Sequence, residues 1–387
     1  MTPKSAAKRR QPAAPVLSAA SALAAADSPA ALGYRMPAEW EPQRATWLAW
    51  PHHRADWPGK FEPIPYVYAE IVRHLARAAR VEVIVNDGAA EFRARTILTH
   101  ANVLPALDAR IAFHHWPTNR GWLRDSGPIF LRDRAGSVAL TNWKFNAWAK
   151  YGNWRLDDTL PEKIAELRGC RTFEATVEVG GRNSTGMRQM VLEGGSIDVN
   201  GRGLLLTTEE CLLSPVQQRN PGMTRAQIEA TLRQMLGVKK ILWLEGGIVG
   251  DDTHGHVDDI ARFVGPRTVL AATEADPADA NHLALQRNLR RLKKMTDTAG
   301  RALQIIALPM PSPKVFKGQR VPASYANFYI SNRTVLVPTF DDANDLKALN
   351  IIQQVLPRHT IVPIYSGDLI WGLGAIHCMT QQEPAGG

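Results

Sequence analysis

Cysteine is scarce: Cys170, Cys211 and Cys378 are the only three in 387 residues. Three cysteines cannot staple a chain of this length, so stability has to come from a buried core, and the scarcity points to a reducing compartment. Long apolar runs are missing too. No stretch approaches the roughly 20 residues of a membrane-spanning helix, and no membrane association is expected. Charge of one sign is not concentrated either: 46 Lys+Arg against 37 Asp+Glu give a formal +9. Four positives (Lys4, Lys8, Arg9, Arg10) sit in the first ten residues and, set against Asp27, leave about +6 for the rest. The densest basic group, Arg287, Arg290, Arg291 and Lys294, lies at helical spacing opposite Leu285, Leu289 and Leu292, the pattern of a solvated helix face. No nucleic-acid motif accompanies it, so no nucleic-acid partner is expected. Apolar residues, by contrast, are plentiful at 45%, enough to fill a core and to exclude wholesale disorder.

Residues 1–33 are rich in Ala, Pro and Ser and read as a disordered tail. A second reading is a weak export signal, with a basic start, a faintly apolar stretch and Ala24-Ala25-Ala26 as a cleavage site. Residues 34–387 read as one folded domain. Within it one unit recurs: two short strands about a turn, an amphipathic helix, then a closing strand. The hairpins start at Ser126, Gly194, Val257 and Tyr325, with Asn200-Gly201 and Gly265-Pro266 as turn signals. Helices are predicted over Thr224–Leu236, Ala278–Met295 and Asp345–Leu356, and closing strands over Lys240–Leu244, Leu303–Leu308 and Thr360–Tyr365. A divergent first copy runs from Ala45 through a helix near 66–79 to Val81–Val85, making about five copies of roughly 60–80 residues. An α/β chain of this pattern suits a closed propeller-like ring or an ordinary doubly wound sheet.

In several copies a Gly-rich loop follows an apolar strand and carries a reactive side chain. NRGWLRDSGP holds Trp122 and Asp125, LEGGS holds Glu193, THGHVDD holds His256 and Asp258, and GLGAIHCMTQQ holds Cys378. Equivalent loops of a closed ring share one end, so these residues are expected to converge. Cys378 departs from an ordinary buried cysteine because Gly372 and Gly374 allow close backbone approach and polar residues surround it; Cys170 and Cys211 read as structural. A thiol with a histidine is acyl- or amidine-transfer machinery. Several carboxylates beside a thiol raise its pKa, which hinders a nucleophile unless the substrate itself is a cation. A guanidinium is such a substrate, bound bidentately by carboxylates and walled by an aromatic ring such as Trp122.

These motifs, together with YRMPAEWEPQRATWLAWP at Tyr34 and SYANFYISN at Ser324, resemble the agmatine deiminase family, which includes bacterial peptidylarginine deiminases of the Porphyromonas type. The resemblance spans about Tyr34 to Pro384 and implies a five-bladed α/β propeller, the pentein fold. It implies that Cys378 attacks the guanidinium carbon and that His256 protonates the departing ammonia and then activates water. Asp125 and Asp258 would clamp the guanidinium, Glu193 would pair with the histidine or the guanidinium, and Trp122 would pack on the substrate. The implied reaction turns agmatine into N-carbamoylputrescine and ammonia in polyamine metabolism, with neither metal nor organic cofactor, in the cytoplasm; a homo-oligomer is left open. Leu373, where the family has glycine, and His254, where an acid is expected, depart from the pattern. Two alternatives stand beside this reading. One is a peptidylarginine or free-arginine deiminase of the same family. The other is a metal-dependent ureohydrolase whose ligands would come from His254, His256, Asp258 and Asp259.

Overall fold

The computed structural model describes residues 26–181 and 184–387. The expected tail lies outside the described residues as far as residue 25. Ordered contacts begin ahead of Tyr34: Ala30 N donates to Gln234 O at 3.0 Å and Tyr34 N to Pro29 O at 2.9 Å.

The fold is α/β. Among the described residues, strands gather into five sheets of three or four strands and two two-stranded ribbons. Each of the five has a strand with an antiparallel neighbour on one side and a parallel neighbour on the other. Val138–Asn142 lies between Ile129–Arg132 and Arg171–Glu174. Leu204–Thr208 lies between Asp198–Val199 and Lys240–Leu244. Thr268–Thr273 lies between Ala261–Phe263 and Gln304–Pro309, and Thr334–Thr339 between Tyr329–Ile330 and Thr360–Tyr365. In these four sheets a short turn joins the antiparallel pair, whereas the parallel pair needs a crossover, here a helix. The predicted closing strands are present within a residue, and each predicted hairpin is present with its first strand beginning three or four residues after the start given above.

The divergent first copy has a physical explanation. Its strand Gln43–Ala49 has Arg80–Val85 as parallel neighbour, but its antiparallel neighbour is Thr380–Pro384, from the far end of the chain. The hairpin strand is supplied by the C-terminal segment, so no hairpin signal precedes residue 43. That segment follows directly on Cys378, which ties the nucleophile's position to this sheet.

Helix Ile64–Ala78 buries Ile64, Tyr68, Ile71, Val72 and Leu75, the stripe that a period of 3.6 places on one face. Arg225–Leu236 begins with a capping box, Thr224 with Gln227, and ends at Gly237 in the left-handed conformation. The helix predicted over Ala278–Met295 is shorter, His282–Leu292. Asp276 and Asp279 accept from the backbone N–H of Ala278 and Asn281 and hold that segment in turns instead. On its outer face Arg287 pairs with Glu245, and Arg291 with Glu209 and Glu245. No helix among the described residues is long and apolar enough to cross a membrane.

Where the sheets meet, the interior is charged. Glu39 Oε2 pairs with Arg262 Nη2 at 2.9 Å and with His377 Nε2 at 2.8 Å, and Oε1 accepts from Ile330 N at 2.6 Å. Arg262, wholly buried, donates from Nε to Asp198 Oδ2 and from Nη1 to Phe328 O, both at 2.6 Å. Burial alone would protonate Glu39; Arg262 and His377 outweigh it and hold the carboxyl well below its usual range. Removing one partner of a buried ion pair leaves the other uncompensated, so Arg262→Ala is expected to lower stability by about 3–5 kcal/mol, read as a fall in the urea midpoint.

Candidate active site

Three of the expected residues, Trp122, Asp125 and Cys378, line a cavity of about 270 Å³, together with Asp56, Arg120, Trp148, Tyr151 and Asp252. Glu193, His256 and Asp258 lie behind them, each with no exposed surface. Short 3-10 turns present them: Glu193 precedes Gly194–Ser196, and His256 precedes Val257–Asp259. Gly195 is where they converge. A Cβ there would stand 2.6 Å from His256 Nδ1, 2.8 Å from Asp125 Oδ1 and 3.0 Å from Asp258 Oδ2, so only glycine fits. Gly374 likewise backs onto Trp122, 2.7 Å from the position of its absent Cβ.

Cys378 sits in the single helical turn Ile376–Met379. Asn327 Oδ1 accepts from His377 N at 3.0 Å, and its Nδ2 donates to Cys378 Sγ at 3.2 Å. Asp258 Oδ2 lies 3.9 Å from the same sulfur and 2.7 Å from His377 Nδ1. The thiol pKa is pushed well above its ordinary value by burial and then by Asp258, Asp259 and Asp125. Asp125 itself is raised to about 6 by burial, against the pull of His256; Trp148 Nε1 donates to its Oδ2 at 2.9 Å and Gly195 N to its Oδ1 at 3.0 Å. Burial opposes protonation of His256, but Asp125, Cys211 and Glu193 prevail, and its pKa lies well above the usual imidazole value. Glu193 is lowered to about 2, because Arg219 and His256 outweigh its burial.

The structure departs from the sequence reading or adds to it at four points. The string His254, His256, Asp258, Asp259 is not a ligand set. His254 takes a left-handed φ of +63° and faces Ser214 Oγ at 3.1 Å, while Asp259 accepts from Asn327 Nδ2 at 2.9 Å. Cys211, read as merely structural, has its sulfur within 4.8 Å of ligand atoms of Glu193 and His256, the one trio among the described residues placed to hold a metal ion. Glu193 is engaged by the wholly buried Arg219, Nε to Oε1 at 3.0 Å, besides lying 3.7 Å from His256 Nε2. Trp148 was missed altogether. Ala147, Trp148 and Ala149 have φ of +49°, +59° and +53°, a run that costs about 1–2 kcal/mol per residue and brings the indole onto Asp125. Nothing in the local sequence announces that turn, whereas Asn327 and Glu39 lie inside motifs already singled out. Leu373, the other departure from the family pattern, also has a left-handed φ, +65°, which explains a glycine preference there.

A buried thiol ringed by carboxylates, beneath an aromatic-walled pocket, defines a cysteine-centred site for a small cationic molecule. The chain belongs to the Porphyromonas-type peptidyl-arginine deiminase family, whose profile matches residues 35–384. It is 37% identical to agmatine deiminase of Pseudomonas aeruginosa (strain LESB58) over 381 residues, covering 92% of this chain and 97% of the relative. Agmatine deiminase of Enterococcus faecalis shares the α/β fold with a TM-score of 0.83 at 33% identity, over 92% of this chain and 98% of that one. Substrate-bound agmatine deiminase of C. jejuni gives 0.78 at 28% identity, over 91% and 97%.

Hydrogen bonds to a charged group contribute about 1.5–3 kcal/mol, so Asn327→Ala is expected to reduce the Cys378 thiolate fraction about 10- to 100-fold. Alkylation of Cys378 by iodoacetamide, followed by peptide mapping, should slow accordingly; an unchanged rate would remove Asn327 from control of the thiol.

Proposed function

We propose that this chain is an agmatine deiminase, a hydrolase of amidine C–N bonds that converts agmatine and water into N-carbamoylputrescine and ammonia. The observation that carries this reading is the charge of the pocket lining: Asp56, Asp125 and Asp252 against Arg120, a formal −2 in a protein of +9. Agmatine, a guanidinium joined to an ammonium, carries +2. Attraction is thus local to the pocket rather than a property of the whole chain. A cavity of about 270 Å³ also suits a slim small molecule better than a peptide segment.

The chemistry follows from the perturbed groups. In the free enzyme Cys378 is a thiol, because burial and the carboxylates around it disfavour the anion. A guanidinium entering beside Asp125 and Asp258 Oδ1, which has no partner of its own, offsets those charges and favours the thiolate. Sulfur then adds to the guanidinium carbon while Trp122 walls the substrate. The C–N bond breaks, ammonia leaves with a proton from His256, and a thiouronium remains on Cys378. His256, now neutral, takes a proton from water; the oxygen bonds to the same carbon, the C–S bond breaks as the C=O forms, and the proton left on that oxygen passes to sulfur to restore the thiol. Glu193 and Asp125 support His256 whenever it is the imidazolium. We further infer that the five sheets are blades of one ring, the pentein arrangement, formed by residues 34–387. In that ring the C-terminal strand completes the first blade.

Arg120 favours a second reading, deimination of free arginine, whose carboxylate needs a basic partner. Its guanidinium is already paired with Asp56 and stacked on Tyr151 at 4.2 Å. A further carboxylate would also meet Asp56 and Asp252, so kcat/KM for agmatine should exceed that for arginine by at least about tenfold.

Purified protein incubated with agmatine and a chelator should release N-carbamoylputrescine and ammonia; urea and putrescine that form only without chelator would refute the thiol mechanism. Cys378→Ser should abolish turnover while Cys170→Ser retains it. Asp125 must be ionised to hold the guanidinium, so kcat/KM should fall about tenfold per pH unit below about 6. Trp148→Phe deletes a donor to the carboxylate and should move that acidic limb to higher pH; an unmoved limb would mean that Asp125 does not govern it.

A further inference from the structure

Behind the pocket lining Glu193 and His256, which deimination uses, stand with Cys211, which it leaves unused. One ligand atom from each lies within 4.8 Å of the others. Glu193 Oε2 and His256 Nε2 are 3.7 Å apart, too far for a hydrogen bond, and neither atom has a hydrogen-bond partner. Both residues have no exposed surface, and Cys211 only 1%. Buried polar atoms left unpaired in this way are costly, and a cluster of them aimed at one point calls for a ligand. Tetrahedral zinc, with bonds of roughly 2.0 Å to nitrogen and oxygen and 2.3 Å to sulfur, separates its ligand atoms by about 3.3–3.7 Å. The observed spacing needs little adjustment to match.

The supports around the trio point the same way. Arg219 holds Glu193 Oε1, which turns Oε2 toward the histidine, as outer groups do around metal-binding carboxylates. Cys211 is fixed in helix Glu209–Leu213, where its N–H donates to Thr208 Oγ1 at 3.0 Å. Sulfur, imidazole and carboxylate together suit a borderline-soft cation and not magnesium or calcium. One divalent ion replacing a thiol proton and an imidazolium proton would leave the net charge of this buried cluster unchanged.

We propose that Glu193 Oε2, Cys211 Sγ and a ring nitrogen of His256 form a three-ligand site for Zn2+, and that the bound ion inhibits the enzyme by taking His256 out of proton transfer. Zinc here is an inhibitor and no part of turnover. The inhibition rests on the role proposed above for His256; the binding does not, so the two can fail separately.

Binding is tested with Co2+ as a spectroscopic stand-in and Zn2+ as competitor, on the full chain. In Cys378→Ser, which lacks the nucleophile, one equivalent of Co2+ should still produce a thiolate-to-cobalt charge-transfer band that Zn2+ displaces. Cys211→Ala and Cys211→Ser in that background should lose the band. Loss of the band in Cys378→Ser alone would place the ion on the nucleophile, and no band in either protein would mean that the trio binds no metal; each result overturns the proposal. For inhibition, each variant's turnover is normalised to its own rate without metal. Cys211→Ala should raise the Zn2+ concentration for half-inhibition by at least about tenfold, the lower bound for disturbing even the outer shell of a zinc site. Metal binding at Cys211 without inhibition would leave the site standing and sink the role given to His256.

Discussion

Asp125, Glu193, Asp258, Asp259 and the Cys378 thiol are buried together, and anions so placed repel one another unless cations or protons are set among them. Much of the molecule's interior answers that requirement. Arg219 sits against Glu193, His377 against Asp258, and His256 between Asp125 and Glu193. Behind them Glu39 binds His377 and Arg262, and Arg262 reaches on to Asp198. The partners come from separate hairpins, loops and the C-terminal turn, so satisfying the charges also fixes how those segments meet. The same network divides the carboxylates by function. Glu193, held by Arg219 and His256 against its burial, is lowered to about 2, while Asp125, with fewer cations, is raised by burial to about 6.

That arrangement explains why a site so hostile to a thiolate suits a guanidinium. Without substrate, burial and the surrounding carboxylates favour the protonated form of Cys378. In the mechanism proposed above, a cationic substrate carries the compensating charge, so that binding and activation would be one electrostatic event. Two residues of the pocket lining, Trp148 and Leu373, are held at positive φ, a local cost borne by the rest of the fold.

Much of this was legible beforehand. The hairpin-helix-strand units follow from local rules: period-2 strands, turn residues, capping signals and 3.6-residue stripes, each decided within a dozen residues. Cys378, His256, Asp125, Glu193 and Asp258 stood out because each ends a Gly-rich loop in an equivalent position. Glu39, Asn327, Trp148, Arg219 and Cys211 carried no such mark. Their importance lies in contacts across 23 to 338 positions of sequence, from Trp148 with Asp125 to Glu39 with His377, which no window of local sequence contains.

The sequence by itself determined the repeating α/β units, the scarcity of thiols that made one cysteine conspicuous, and the residue types of a cysteine-centred site for a cation. Tertiary structure alone decided which carboxylate meets which cation, and hence which are ionised, because a pKa depends on burial and on charges brought near by folding. It alone decided that the C-terminal strand completes the first sheet, and that Cys211, unremarkable in sequence, stands beside His256. Such neighbours are set by how the sheets meet, and that geometry exists only once the chain has folded.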